Sequence, residues 1–310
     1  MDGKQARRTN SSSPLGLLFD HGCDAINTGL LSVSMSSVFG TGWNIKLFLS
    51  FYIGFVTFYI QTWEEYYTGA MILPILNGPS DGLFLISIFS FFTSFVGSQY
   101  WQNPSIELPL QLNDICNDKC REFLNITTNS YNNNYYISPF QLIVVVGVFW
   151  ATVIIVSQVS AVFRMIKKSN RKDLVNAILD LLPITSFFLS IFIWCNISSI
   201  ALTNYPFIAT AYICAVFTEI VVHVMLMHVT KDKTKPLHRY LAYLTILLPI
   251  GSIIDKSYNL QFELVLIVSL SIIAVFVTSL LIYKICKEVS EALGIYILVL
   301  GKRYQSSKLK

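Results

Sequence analysis

The sequence predicts an all-α integral membrane protein, a multi-pass helical bundle of about eight spans built as one domain over residues 1–310. Three observations carry this prediction. Hydrophobic residues make up 54% of the chain and charged residues only 13%, about half the charged share of soluble domains. Apolar runs of about 20 residues recur along the chain. The cations gather in alternate connecting segments.

The spans predicted in order are residues 15–39, 46–63, 82–101, 138–163, 178–203, 207–230, 237–254 and 263–283. The polar opening lacks the apolar core of a secretory leader, so insertion is expected to use internal spans. Eighteen of the 22 Lys and Arg then share the side of residue 1, within residues 1–8, 164–172, 231–239 and 284–310. Only Lys46, Lys119, Arg121 and Lys256 lie opposite. This bias puts both termini, and the tail 286–310, in the cytosol. The seventh span is the weakest, with a short apolar part, but removing it would carry the basic tail to the wrong face. Because topology accounts for the net charge of +4, no nucleic-acid partner is assigned.

Residues 102–137 become a luminal loop. It contains the sequon Asn125-Ile126-Thr127, which is glycosylated only in the secretory lumen, and an Asn-rich stretch, 129–134, that reads as a loop tip. Asn10-Ser11-Ser12 has the same pattern on the cytosolic side. Cys116 and Cys120 share the luminal loop and are either bridged or free. Cys23, Cys195, Cys214 and Cys286 lie in or beside spans without metal-ligand spacing and behave as small hydrophobes.

Chemistry concentrates at the cytosolic end of the first span. Gly16, Asp20 and Asp24 stand at i, i+4 and i+8, on one face of a helix. Stacked carboxylates either bind cations or become protonated. Oxygen ligands without His or Cys at zinc spacing suit Mg²⁺ or Mn²⁺, and Asp2 is a further candidate ligand. Gly3, Ala6 and Gly16 leave room for a planar or phosphorylated group, and Lys4, Arg7 and Arg8 supply charge for phosphate. Carboxylates, a divalent metal and cations facing the cytosol point to phosphoryl transfer at the membrane surface. The plainer alternative is an N-terminal arm with ordinary positive-inside residues.

Asp2-Gly3-x-x-Ala6-Arg7, eight residues, then Gly16-x-x-x-Asp20-x-x-x-Asp24 resembles the signature of the CDP-alcohol phosphotransferases, D-x-x-D-G-x-x-A-R followed by G-x-x-x-D-x-x-x-D. The longer string DGKQARRTNSSSPLG with FDHGCD resembles the eukaryotic choline- and ethanolaminephosphotransferase branch. The resemblance implies a multi-pass enzyme that moves phosphocholine or phosphoethanolamine from CDP-choline or CDP-ethanolamine to diacylglycerol, releasing CMP. It implies that Asp2, Asp20 and Asp24 hold the metal on the donor pyrophosphate, and that Gly3, Lys4, Ala6, Arg7 and Gly16 shape the nucleotide site. It implies an endoplasmic reticulum or Golgi membrane with the site facing the cytosol, and it is compatible with a homodimer. Two departures follow. The first signature aspartate would stand three residues before Asp2, ahead of Met1, and two of the family's ten spans would also lie upstream. The sequence is therefore expected to be the later part of a longer protein, and to transfer little by itself; a non-catalytic member that keeps the fold is the alternative. Leu17 stands where relatives carry Glu, off the Gly16-Asp20-Asp24 face.

The acceptor hydroxyl needs a base, and His21 is the candidate. The resemblance pairs it with an acid in a segment like Asn77-Gly78-Pro79-Ser80-Asp81-Gly82, so Asp81 is the expected partner, though it also suits a helix N-cap. Within the sixth span Glu219 and His223 stand at i and i+4 and are expected to pair, with His228 ending the span. Asp180 is expected to be solvated at the interface. Residues 291–300 read as an amphipathic surface helix with a basic end.

Overall fold

The computed structural model describes residues 8–9, 12–42, 45–69, 81–108, 126–128, 135–166, 171–198, 204–233, 236–258 and 261–297. It is all-helical apart from a short three-stranded antiparallel sheet. The helices are α1 (Pro14–Val38), α2 (Ile45–Phe51), α3 (Thr57–Thr68), α4 (Leu83–Val96), α5 (Gln99–Gln102), α6 (Pro139–Ile166), α7 (Arg171–Leu179), α8 (Leu182–Ile197), α9 (Pro206–Thr230), α10 (Tyr240–Leu244), α11 (Leu247–Tyr258) and α12 (Phe262–Leu293). Among the described residues, Pro139–Ile166, Asp173–Ile197, Pro206–Thr230 and Phe262–Leu293 are long and apolar enough to cross a bilayer, and Leu83–Val96 is a shorter apolar helix. The protein is a multi-pass α-helical membrane protein.

Several predicted spans are helices with interruptions, and the interruptions have local causes. Residues 46–63 form α2 and α3 joined by a π-helical turn, Tyr52–Val56, and the helix runs to Thr68, beyond the predicted end. Gly69, at φ 78°, closes it by donating its N–H to Glu65 O, a conformation glycine adopts without strain. Residues 178–203 are broken at Asp180–Leu181 because Pro183 has no N–H for the Leu179 carbonyl. Residues 237–254 break at Thr245–Ile246, four residues before Pro249, for the same reason. Residues 82–101 turn at Gly97, φ 79°.

The amphipathic helix read at 291–300 is corrected. No breaker stands between Tyr283 and Leu293, so the last span continues through Lys284, Lys287 and Glu288 and ends only at Gly294. This glycine takes the left-handed conformation and donates its N–H to Glu291 and Ser290 carbonyls.

The chain forms two compact units, residues 1–27, 62–71 and 165–310, and residues 28–61 and 72–164. In the second unit the C-terminal half of α1 approaches the π-turn, where an added Cβ on Gly54 would stand 3.0 Å from Thr28 Cγ2. Met35, Phe39, Trp101 and Phe140 form a buried cluster; Phe39 and Trp101 meet edge to face at 5.1 Å, a geometry worth about 0.5–1.5 kcal/mol beyond burial. Gln102 ties it down, donating to Phe39 O at 2.7 Å and accepting from Lys46 Nζ at 3.0 Å. In the predicted luminal loop, strand β3 (Tyr135–Ile137) pairs antiparallel with β1 (Ile106–Glu107) and with β2 (Thr127–Thr128). The sequon threonine therefore sits in a strand; Asn125, Cys116, Cys120 and residues 129–134 lie outside the described residues.

In the first unit α9 and α12 pack along their length. Ser271 Oγ donates to Ile208 O and Thr278 Oγ1 to Ala215 O, both at 3.1 Å. Both partners advance by seven residues in the same sense, so the two helices run parallel. Small hydroxyl residues at the seam let the backbones approach, as expected for helices packing in lipid. A parallel pair requires the intervening segment, residues 231–261, to return the chain along the bundle, which is the role of α10 and α11. Trp194 Nε1 donates to buried Glu263 Oε1 at 2.8 Å, and Asp255 accepts the N–H groups of Phe262 and Glu263 at 2.7 and 3.0 Å, satisfying donors that the first turn of α12 would leave open.

Candidate active site at the start of the first span

The first turn of α1 is built by Ser13 and Pro14. Ser13 Oγ accepts the Gly16 N–H at 3.1 Å, and Pro14 fills the position where a missing N–H costs nothing. From there the helix divides by face. Gly16, Asp20 and Asp24 are all exposed, whereas Leu15, Leu18, His21, Gly22 and Ala25 are buried. Adjacent helical residues differ by about 100°. Asp20 and His21, though neighbours in sequence, thus point to different environments.

The outward face matches the spacing expectation. Two carboxylates one turn apart offer a hard, oxygen-only donor set, which fits Mg²⁺ because that ion keeps several waters and substrate oxygens in its shell. Among the described residues no group of three or more His, Cys, Asp or Glu gathers to hold a metal. Asp2, Gly3, Lys4, Ala6 and Arg7 lie outside the described residues.

The inward face holds a buried polar cluster. His21 is 6% exposed, and its Nδ1 lies 3.1 Å from Leu17 O. A carbonyl only accepts, so this nitrogen carries a proton. Nε2 is left to face Glu65 Oε2 at 3.5 Å, and Glu65 Oε1 in turn faces His228 Nε2 at 4.0 Å. Glu65 is 8% exposed and is presented by the last turns of α3, the part that extends past the predicted span. α9 supplies His228 and also packs against α1: an added Cβ on Gly22 would meet Val222 Cγ2 at 3.6 Å.

Sequence reasoning missed Glu65. The available signal was Trp63-Glu64-Glu65 at the end of the second predicted span, two adjacent acids where ionised groups are costly unless partnered. Asp81, the expected partner of His21, belongs to the second unit. It lies in the turn before α4, whose N-cap is Gly82 without a side-chain cap bond.

Two further readings meet the structure. Glu219 and His223 pair as expected, with Nδ1 to Oε1 at 3.0 Å, and Arg239 Nη1 joins at 3.6 Å. Asp180, expected to be solvated, is 3% exposed: the break before Pro183 turns it inward, where its Oδ2 accepts the Tyr67 hydroxyl proton at 2.5 Å. Tyr66, its neighbour on α3, donates to Asp232 O at 2.9 Å.

No protein-family model matches the chain. It is 32% identical over 304 residues to choline/ethanolaminephosphotransferase 1 of Arabidopsis thaliana, covering 96% of this chain and 73% of that protein. It is 41% identical over 98 residues to choline/ethanolaminephosphotransferase 1 of Saccharomyces cerevisiae, covering 32% of this chain and 25% of the relative. A CDP-alcohol phosphatidyltransferase class-I family protein of Dictyostelium discoideum, number 3, is 47% identical over 103 residues, or 33% of this chain and 26% of that protein. Similarity at this level over 96% of the chain, together with an apolar helical architecture, means that the chain belongs to the CDP-alcohol phosphotransferase family, in its choline/ethanolaminephosphotransferase branch.

Proposed function

We propose that this protein transfers phosphocholine or phosphoethanolamine from the CDP-linked alcohol to diacylglycerol in phospholipid synthesis, at the cytosolic face of an endoplasmic reticulum or Golgi membrane crossed by eight spans. The observation that supports it most is the division of α1 into an exposed Gly16-Asp20-Asp24 face and a buried His21 face. Bound Mg²⁺ or Mn²⁺ supplies charge neutralisation at the donor pyrophosphate. Asp20 and Asp24, with Asp2, would hold it; Gly3, Lys4, Ala6, Arg7 and Gly16 would shape the nucleotide site. Small residues there let a planar or phosphorylated group lie against the backbone.

His21 takes the proton of the diacylglycerol hydroxyl, with Asp81 as the acid that the family resemblance implies. As that O–H bond breaks, the oxygen forms its bond to the donor phosphorus. The P–O bond to CMP breaks, and CMP leaves with the electron pair. A buried base suits this step, because burial keeps water away from the hydroxyl as it loses its proton.

Substitution of Asp20 or Asp24 by Asn tests the reading in membranes lacking their own transferase. With a radiolabelled CDP-alcohol, each variant is expected to lose metal-dependent phospholipid product while accumulating normally, since each removes one ligand and one charge. Near-parental turnover in either variant would overturn it.

A further inference from the structure

We infer that a cavity at the ends of α3, α6, α7 and α9 binds the zwitterionic headgroup of a bilayer phospholipid, a phosphate joined to an alkylammonium. This site lies beyond the transfer reaction and does not depend on which residue serves as the base.

The cavity has a volume of about 410 Å³, the size of a small-molecule site, and its lining belongs entirely to the first unit. Its walls come from the ends of elements. Tyr66 and Tyr67 stand in the last turn of α3, Ile166 closes α6, Asp173 lies in the first turn of α7, and Lys233 follows α9. All of these ends fall on the side that the cation bias assigns to the cytosol. The cavity therefore stands where spans leave the apolar layer, at the level of lipid headgroups.

Three features of the lining match a zwitterion. First, charges of both signs line it, Asp173 and Lys233, and they do not neutralise each other: among the described residues Lys233 makes no ion pair. A phosphate oxygen suits the lysine ammonium, a compact point charge, and an alkylammonium suits the carboxylate. Second, the rings of Tyr66 and Tyr67 stand at 90° with centroids 4.9 Å apart, and aromatic rings attract quaternary ammonium groups. Both rings are fixed through their hydroxyls, Tyr66 donating to Asp232 O at 2.9 Å and Tyr67 to Asp180 Oδ2 at 2.5 Å, so little order remains to be imposed on binding. Asp232 Oδ1 also accepts the Lys233 N–H at 2.8 Å, which ties the backbone of the cation to the tyrosine wall. Third, Met165 and Ile166 add an apolar flank at the end of a span, where acyl chains run. A soluble donor has no use for that flank, and none of Asp20, His21 and Asp24 lines the cavity. Both facts favour a lipid over the CDP-linked donor as the source of the headgroup.

The test uses the protein expressed from its natural reading frame, purified in detergent and titrated by calorimetry with short-chain phosphatidylcholine. Excess CDP-choline is present throughout, so that lipid bound in the donor site is not counted. Phosphatidylglycerol with the same chains and free phosphocholine serve as comparisons, and Lys233→Gln and Asp173→Asn as variants. The parent is expected to bind phosphatidylcholine saturably and about tenfold more tightly than phosphatidylglycerol, which has no ammonium for the carboxylate and the rings. Lys233→Gln should weaken both lipids about threefold, because both carry phosphate. Asp173→Asn should weaken phosphatidylcholine alone, narrowing the preference to about threefold, a shift of selectivity that a merely structural role would not produce. Neither side chain belongs to the buried core; if Asp173→Asn does not accumulate, Lys233→Gln decides. Equal affinity of the parent for the two lipids, no binding of phosphatidylcholine beside CDP-choline, or parental affinity in the variants would overturn the inference. Free phosphocholine binding as tightly as the lipid would overturn the choice of a lipid as the ligand.

Discussion

The contact between α1 and α9 at Gly22 offers a graded test of how the fold holds the base. An added Cβ there would meet Val222 Cγ2 at 3.6 Å, an ordinary van der Waals distance. Gly22→Ala therefore fits without movement, and removing a mid-helix glycine should add roughly 0.5–1 kcal/mol of stability. Gly22→Leu places three more carbons beyond that Cβ, each bond about 1.5 Å long, in space that Val222 already fills. Either the two helices part or the leucine leaves its preferred rotamer, and overpacking of this kind costs about 1–3 kcal/mol. His21 precedes Gly22, so parting the helices also moves the imidazole from its place beside Glu65 and His228. Thermal unfolding of the purified protein in detergent, read beside transferase kinetics, separates the two variants. The alanine enzyme should match or exceed the parent in midpoint and keep its turnover; the leucine enzyme should unfold earlier and lose about tenfold or more in kcat, as misplacement of a catalytic group implies. A leucine variant with parental midpoint and kcat would show that α9 does not set the depth of His21.

Two other outcomes are expected. Glu219→Gln removes the charge facing Arg239 in a pair whose members are 5% and 8% exposed, so it should destabilise the protein on the order of 3 kcal/mol by thermal unfolding, and a compensating Arg239→Met should recover part of the loss. Equal stability of Glu219→Gln and the parent would refute this. A protease site inserted beside Asn125 should resist protease added to sealed microsomes and be cut once detergent is present; cleavage in intact vesicles would reverse the topology.

The class of fold was legible because hydropathy over runs of helical length reports burial in lipid directly. Pro139–Ile166, Pro206–Thr230 and the start of Phe262–Leu293 fall within a residue or so of the predicted starts. The breaks at Asp180 and Thr245 were not read, although Pro183 and Pro249 mark them; a hydropathy window averages across a lost hydrogen bond. The end of the last helix was missed because hydropathy falls at Lys284 while the backbone has no reason to stop before Gly294. At the site, i and i+4 spacing was enough to place Asp20 and Asp24 together on one exposed face. Glu65 was not legible, because its contact with His21 joins residues far apart in sequence and depends on α3 running past the apolar boundary. Asp180 was misplaced for a related reason: its burial depends on Tyr67, more than a hundred positions away.

The parallel seam between α9 and α12 has a consequence for how the protein is made. Each of its two side-chain bonds to backbone joins residues 63 positions apart, and no hairpin brings parallel helices together. Helix α9 must wait in the bilayer, with Glu219 and His223 aboard, until residues beyond Thr278 have been synthesised and inserted. During that interval the carbonyls of Ile208 and Ala215 lack the hydroxyl partners that α12 brings, and the seam closes only after the last span is inserted.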